Sequence, residues 1–243
     1  MRIQIVGWGR MGAALHASLA AAGAGDVLLP LAGRGADGSG ADLVLLAVPD
    51  AAIADAARLI APGPLVGHLS GMTTLAALAP HEALSVHPLL SVTGPDTAFA
   101  GAHAAVAGTS ERALATARSL AETLGLVPFT VADEDRAAYH AAASISANAL
   151  VAIEWVAERL AATAGVPRAA LAPLARAALD NWAARGAAAA LTGPIARGDE
   201  ATVSRQRDAL AARLPDELGL FDALTQTTRA LAAHPAEPTE ESR

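Results

Sequence analysis

Apolar and polar positions along the chain fall into two regimes that meet near residue 132. Before it, short apolar runs at 3–6, 27–31, 43–48, 65–69, 84–87, 102–107 and 127–131 alternate with Ala-rich stretches after residue 12 and at about 51–60 and 111–124. The third run, 43–48, is fully apolar, as a strand buried on both faces of a parallel sheet should be. The alternation of the runs with helices predicts an α/β Rossmann domain, a doubly wound parallel sheet, over 1–132. The segment GRGADGSGAD between the second and third runs has loop composition, so the usual crossover helix there is expected to be short or missing.

Beyond residue 132 the strand signal stops. Asp133 can cap a helix, Glu134 and Asp135 suit its positive end, and apolar positions recur at the helical period until Gly165 and Pro167. A single helix of about thirty residues is expected, roughly 45 Å long, too long for a small sheet to cover. It predicts an all-α domain over 133–234, with further helices at 173–185, 202–214 and 218–233 and a disordered tail over 235–243. The Ala face of the long helix suggests a homodimer formed through this domain. Trp155 and Trp182 are expected to pack in its core.

Composition narrows the function classes. Of the residues 53% are hydrophobic and 3% aromatic, so the core should consist of close helix contacts with few large anchors. A net charge of −7, with no basic block, argues against a nucleic-acid partner. The absence of cysteine removes disulfides, thiolate nucleophiles and Cys-ligated zinc. No long apolar span or leader pattern is apparent, so no membrane partner is expected and the reading is cytoplasmic.

The most informative motif is GWGRMG, residues 7–12, between the first apolar run and a helical stretch. Gly7 suits a tight turn, Gly9 a close backbone approach to a pyrophosphate, and Gly12 close helix packing. The helix amino end supplies N–H groups and the positive end of its dipole to an anion. Trp8, Arg10 and Met11 fill the variable positions, and Val48, Pro49 and Ser70 lie at the ends of later strands, where a dinucleotide would extend. NAD-preferring folds place a carboxylate about twenty residues beyond the glycines. Here the place reads LAGRG, and Arg34 favours NADP over NAD; the alternative is a solvated Arg34 with Asp37 on the ribose.

Three clusters could meet a substrate: HLSG, ending in Ser70 and Gly71; VHPLLS, with His87 and Ser91; and YHAAASISAN. In the last, His140, Ser144 and Asn148 recur every four residues and would form one polar stripe on an α-helix. His87 leads as acid/base, because an ordinary histidine pKa near neutrality serves proton transfer in both directions. His140 is its rival, and Tyr139 is placed on the substrate. Asn181 and Arg197 are further substrate candidates, Arg197 as a carboxylate clamp, although Asp199 and the glycines of ALTGPIARGD also fit a plain helix-capping turn. The other histidines lack ligand-like spacing, so no metal site is expected.

Together GWGRMG, ADLVLLAVPD, the SG and HPL turns, YHAAASISAN and ALTGPIARGD make nearly the whole chain resemble the bacterial family described as Rossmann-like plus domain of unknown function 2520. The resemblance implies an NADP-type oxidoreductase similar in layout to the 6-phosphogluconate dehydrogenase-like group, which includes ketopantoate and pyrroline-carboxylate reductases. It implies a small carboxylate-bearing keto acid, reduced in an interdomain cleft, or a cyclic imine; a non-catalytic cofactor sensor is the rival from another class. Ketopantoate-type relatives carry a Lys where Ser144 stands here, and His87-Pro88 looks like the His-Pro pair of prephenate-type dehydrogenases.

Overall fold

The computed structural model describes residues 1–23 and 25–234; the tail expected at 235–243 lies outside the described residues. Seven strands, β1 (Arg2–Val6), β2 (Val27–Leu28), β3 (Leu43–Leu46), β4 (Leu65–His68), β5 (Ala83–Pro88), β6 (His103–Gly108) and β7 (Val127–Thr130), form one sheet in the order β2-β1-β3-β4-β5-β6-β7. Helices α1 (Arg10–Ala22), α2 (Ile53–Leu59) and α3 (Glu111–Thr123) cover it.

Strand periodicity explains why the runs are mostly apolar without alternating. Ile3, Ile5, Leu43, Leu45 and Leu84 point to the face shared with Leu15 of α1 and Leu120 of α3. Their neighbours Val6, Val44, Leu46 and Val66 point to the other face, against Ile53, Ala56 and Ala57 of α2. A polar residue on either face of these strands would be buried without water.

Two features correct the expected sheet. It is mostly rather than wholly parallel, because β6 runs antiparallel to β5 while all other pairs are parallel. Residues 89–102 contain no helix, and without a crossover the chain returns alongside β5 in the opposite sense. The second strand spans Val27–Leu28 and not 27–31, after which Ala32 makes an isolated bridge to Val6. The missing crossover helix between β2 and β3 is as expected.

The chain divides into two compact units, Met1–Ala147 and Asn148–Arg243. The division falls beyond residue 132 because α4 (Arg136–Ser144) is tied to the sheet: the buried Arg136 donates to Ser85 of β5. The single long helix expected from residue 133 is instead a 3-10 turn at Asp133–Asp135, α4, a π turn at Ile145–Ala149 and α5 (Leu150–Ala162). A π turn closes through i→i+5 bonds, so the four-residue stripe does not continue past Ser144, and Asn148 is exposed.

In the second unit α5 is followed by α6 (Arg168–Arg185), α7 (Ala187–Ala190), α8 (Glu200–Arg213) and α9 (Leu218–Ala233). Its α6 begins at Arg168 rather than 173, with Pro173 inside it. Among the described residues of this unit only Val203, Leu210 and Thr225 are buried. Trp155 and Trp182, expected in a core, are 54% and 55% exposed. Small Ala side chains do not reach far enough to cover them, and the Arg159 guanidinium lies 4.4 Å over the Trp155 ring instead. No helix of the described residues is long and apolar enough to cross a membrane.

Candidate active site

The glycine turn joins β1 to α1 where the sheet changes direction of growth, since β1 lies between β2 and β3. Ligands of such sheets sit in the crevice at this switch point. Gly7 has φ +129°, and a Cβ on it would lie 2.2 Å from the Ala47 carbonyl oxygen. A Cβ on Gly12 would lie 2.2 Å from the Gly7 carbonyl oxygen. Both positions therefore exclude any side chain. Gly9 is different: nothing lies within 4 Å of its Cβ position, so its open face leaves room for a ligand rather than for packing. It is also the N-cap of α1 and supplies no side-chain cap, which leaves the first N–H groups to an external anion. A dinucleotide pyrophosphate fits this cradle. Trp8 is 71% exposed, Arg10 opens α1, and Met11 packs against the core.

Along the same carboxyl edge of the sheet, β4 and β5 end in a second cluster. His87 Nδ1 and the Tyr139 hydroxyl are 2.6 Å apart, with the rings edge to face. The His140 ring centroid lies 6.1 Å from that of His87. Gly71 makes the cluster possible: a Cβ there would meet His87 Cε1 at 2.7 Å and His140 Cδ2 at 2.9 Å. Beneath it lies a polar layer that sequence reasoning missed. Arg136 donates from Nε to Asp133 at 2.8 Å and from Nη2 to Ser85 at 3.0 Å, and is 2% exposed. Ser85 is the register partner of the buried His68. An arginine ordinarily reads as a surface residue; the available signal was Asp133 three positions before it, ahead of Tyr139.

Burial decides the protonation of this cluster. Desolvation, then the neighbouring His140 and Arg136, lowers His87 from 6.5 to about 4. Desolvation, then Arg136, does the same to His68. Desolvation raises Tyr139 to about 12, with Arg136 opposing it. At neutral pH His87 and Tyr139 are both uncharged. This corrects the expectation of a His87 that titrates near neutrality: it is a hydrogen-bond partner rather than an imidazolium.

The remaining residues separate. Ser70 is 7% exposed and its hydroxyl is fully used, donating to Asp50 at 2.7 Å and accepting from the Thr73 N–H at 2.9 Å. It therefore braces the turn that carries Gly71. Val48 is partly buried and Pro49 exposed after β3; Ser91 is exposed in the loop after β5. Arg34 is exposed in the turn after Ala32, and the Asp37 carboxylate accepts from the Ser39 N–H at 2.9 Å within its own turn. Ser144 lies in the first unit, whereas Asn148, Asn181 and Arg197 belong to the second and are exposed. Asp199 caps α8 by accepting from the Thr202 N–H at 3.0 Å.

Residues 102–228 match the family described as a domain of unknown function (DUF2520). The chain belongs to this family. No curated protein matches it in sequence. Among solved structures it is similar to a protein of Thermotoga maritima, with TM-score 0.81 and 22% identity over 96% of this chain and 100% of that one. It is also similar to a Bacteroides fragilis protein provisionally named an NADP oxidoreductase, with TM-score 0.78 and 18% identity over 94% and 98% of the two chains. A third is the Plasmodium falciparum pyrroline carboxylate reductase with NADP bound, with TM-score 0.59 and 12% identity over 96% and 98%. At these identities the likeness establishes the fold alone, a Rossmann-like domain followed by a helical one.

Proposed function

We propose that this DUF2520 chain is an NADP-dependent reductase of a small carboxylate-bearing keto acid, ketopantoate-like in size and charge. The observation that carries the reading is that the glycine cradle and the His87–Tyr139 pair lie on one carboxyl edge of one sheet. Gly7, Gly9, Gly12 and the N–H groups of Arg10 and Met11 would hold the pyrophosphate, Val48 and Pro49 would line its site beyond β3, and Arg34 would bind the 2′-phosphate. The bound cofactor supplies the hydride.

The protein supplies the proton. With the Tyr139 O–H donating to Nδ1, the His87 ring proton stands on Nε2 and points its hydrogen bond at the substrate carbonyl oxygen. As hydride reaches the carbon, negative charge grows on that oxygen and strengthens the bond. The Nε2 proton passes to the oxygen while the Tyr139 proton passes to Nδ1, leaving a neutral histidine and a phenolate. An alkoxide is a stronger base than a phenolate, so the transfer runs toward product, and the phenol is restored from water. Neither ring has to become cationic in a site that disfavours cations.

A cyclic imine such as pyrroline carboxylate is the second reading, because the fold is shared with a reductase of that class. We also propose a homodimer through the helical unit, whose Val151 and Leu174 are each 69% exposed; light scattering at twice the 24.2 kDa chain mass checks it. Side-by-side fluorescence titration with NADPH and NADH tests the cofactor, and a keto-acid and imine panel then tests turnover. Binding without turnover of either class points to a cofactor sensor; no binding removes the reading.

A further inference from the structure

Trp8 is unexplained by packing. Large aromatic side chains are placed to bury area, yet Trp8 is the most exposed of the large hydrophobics. It also sits in the glycine turn, between the tightly constrained Gly7 and the open Gly9. Its surroundings are specific. Gly7 N–H donates to the Ala32 carbonyl at 2.9 Å, which fastens the glycine turn to the chain leaving β2. The indole Nε1 lies 3.7 Å from the point that a Cβ on Gly33 would occupy, so the only hydrogen-bonding edge of the ring is turned toward the Gly33–Arg34 turn. That turn is closed by the Ala36 N–H donating to the Gly33 carbonyl at 3.1 Å. Arg34 projects from it and forms no ion pair among the described residues.

We infer that Trp8 is a specificity-determining residue for the 2′-phosphate of adenosine: its indole N–H and the Arg34 guanidinium bracket that phosphate from two sides. The inference rests on the NADP reading above and assigns Trp8 to the ribose end of the nucleotide rather than to the pyrophosphate. An indole is a donor only, so it suits a phosphate oxygen, which only accepts. A donor bond to a charged oxygen is roughly twice as strong as a neutral one. Asp37, the nearest acidic residue that could take a ribose hydroxyl instead, is engaged by the Ser39 N–H. The short β2 matters as well: with no crossover helix before β3, the wall of this subsite is a turn, and a ring reaching across from the glycine loop completes it.

The experiment is calorimetric titration of the full chain with 2′,5′-ADP, 5′-AMP, NADPH and NADH, for wild type, Trp8→Phe and Arg34→Asp. Trp8→Phe keeps an aromatic face and deletes the N–H together with the fused second ring. It should weaken 2′,5′-ADP and NADPH about tenfold and leave 5′-AMP and NADH within twofold. Arg34→Asp should act in the same direction and more strongly, since it also reverses the charge. Because Trp8 is exposed, Trp8→Phe should melt at the wild-type temperature. An unchanged NADPH-to-NADH ratio in Trp8→Phe, with wild type binding NADPH, overturns the role of Trp8 and leaves the cofactor reading standing. Wild-type failure to bind any of the four removes both.

Discussion

Acidification should weaken the first unit, and two buried histidines set the size of the effect. In the unfolded chain His68 and His87 take up protons near 6.5; in the folded chain they do so only near 4. Between these values the unfolded state binds more protons, so acid favours unfolding. The contribution is complete above about 6.5, shrinks as the pH falls, and is gone near 4. His68 faces Arg136, Asp50 and Asp133, and His87 faces His140, Arg136 and Asp50. Going from pH 8 to pH 5 removes about 2 kcal/mol per fully buried ring. Allowing for water around the part-buried His87, the pair should lose about 3 kcal/mol, against a domain stability of about 5–15 kcal/mol. Urea melts followed by circular dichroism should show the midpoint falling by about 1 M. Glu82, held at about 2 chiefly by the Arg112 guanidinium, loses its contribution only at lower pH and does not blur the window. His68→Leu should remove about two thirds of the pH dependence. Equal midpoints at pH 8 and pH 5, or imidazole signals for these two rings titrating near 6.5 in the folded protein, would refute the argument.

Other expectations are as direct. Gly12→Ala forces a methyl against the Gly7 carbonyl and should cost about 1–3 kcal/mol in thermal melts, whereas Gly9→Ala should melt normally and yet weaken NADPH in calorimetry. Tyr139→Phe should reduce kcat on the active substrate by about a hundredfold with NADPH affinity unchanged; a kcat within threefold of wild type would remove Tyr139 from the proton path. Arg136→Met removes the positive charge facing both rings, so the pKa values of His87 and Tyr139 should both rise; histidine signals in NMR and phenolate absorbance follow the two. If neither moves, the buried guanidinium does not act on the pair.

Much of the sheet was legible because β3 is buried on both faces and leaves an unbroken apolar run that little else produces, and β1 and β4 are mostly apolar beside it. The glycine turn was legible too, since Gly7 and Gly12 occupy positions where a Cβ would strike a carbonyl oxygen. The direction of β6 was not, because a run of apolar residues carries no polarity; only the lack of a helix over 89–102 could have suggested it. The π turn left no mark either, as Ile145 to Ala149 is ordinary helical composition. His87, Tyr139 and His140 could each be picked out, but their union depends on Gly71, which reads in sequence as a turn residue. The depressed pKa of His87 is a property of burial, which residue type alone does not encode. The same holds for Arg136, whose place beneath the cluster follows from a hydrogen bond to a strand far away in sequence.

The three buried residues of the helical unit have a consequence in mass action. A set of helices that covers so little of its own apolar surface gains its order from whatever closes over it, and when that is a second copy, the folding equilibrium includes association. The melting temperature of the full chain should then climb with protein concentration, and a fragment beginning at Asn148 should populate folded helix only when concentrated. Dilution, rather than heat or denaturant, becomes the gentlest way to take this half of the molecule apart.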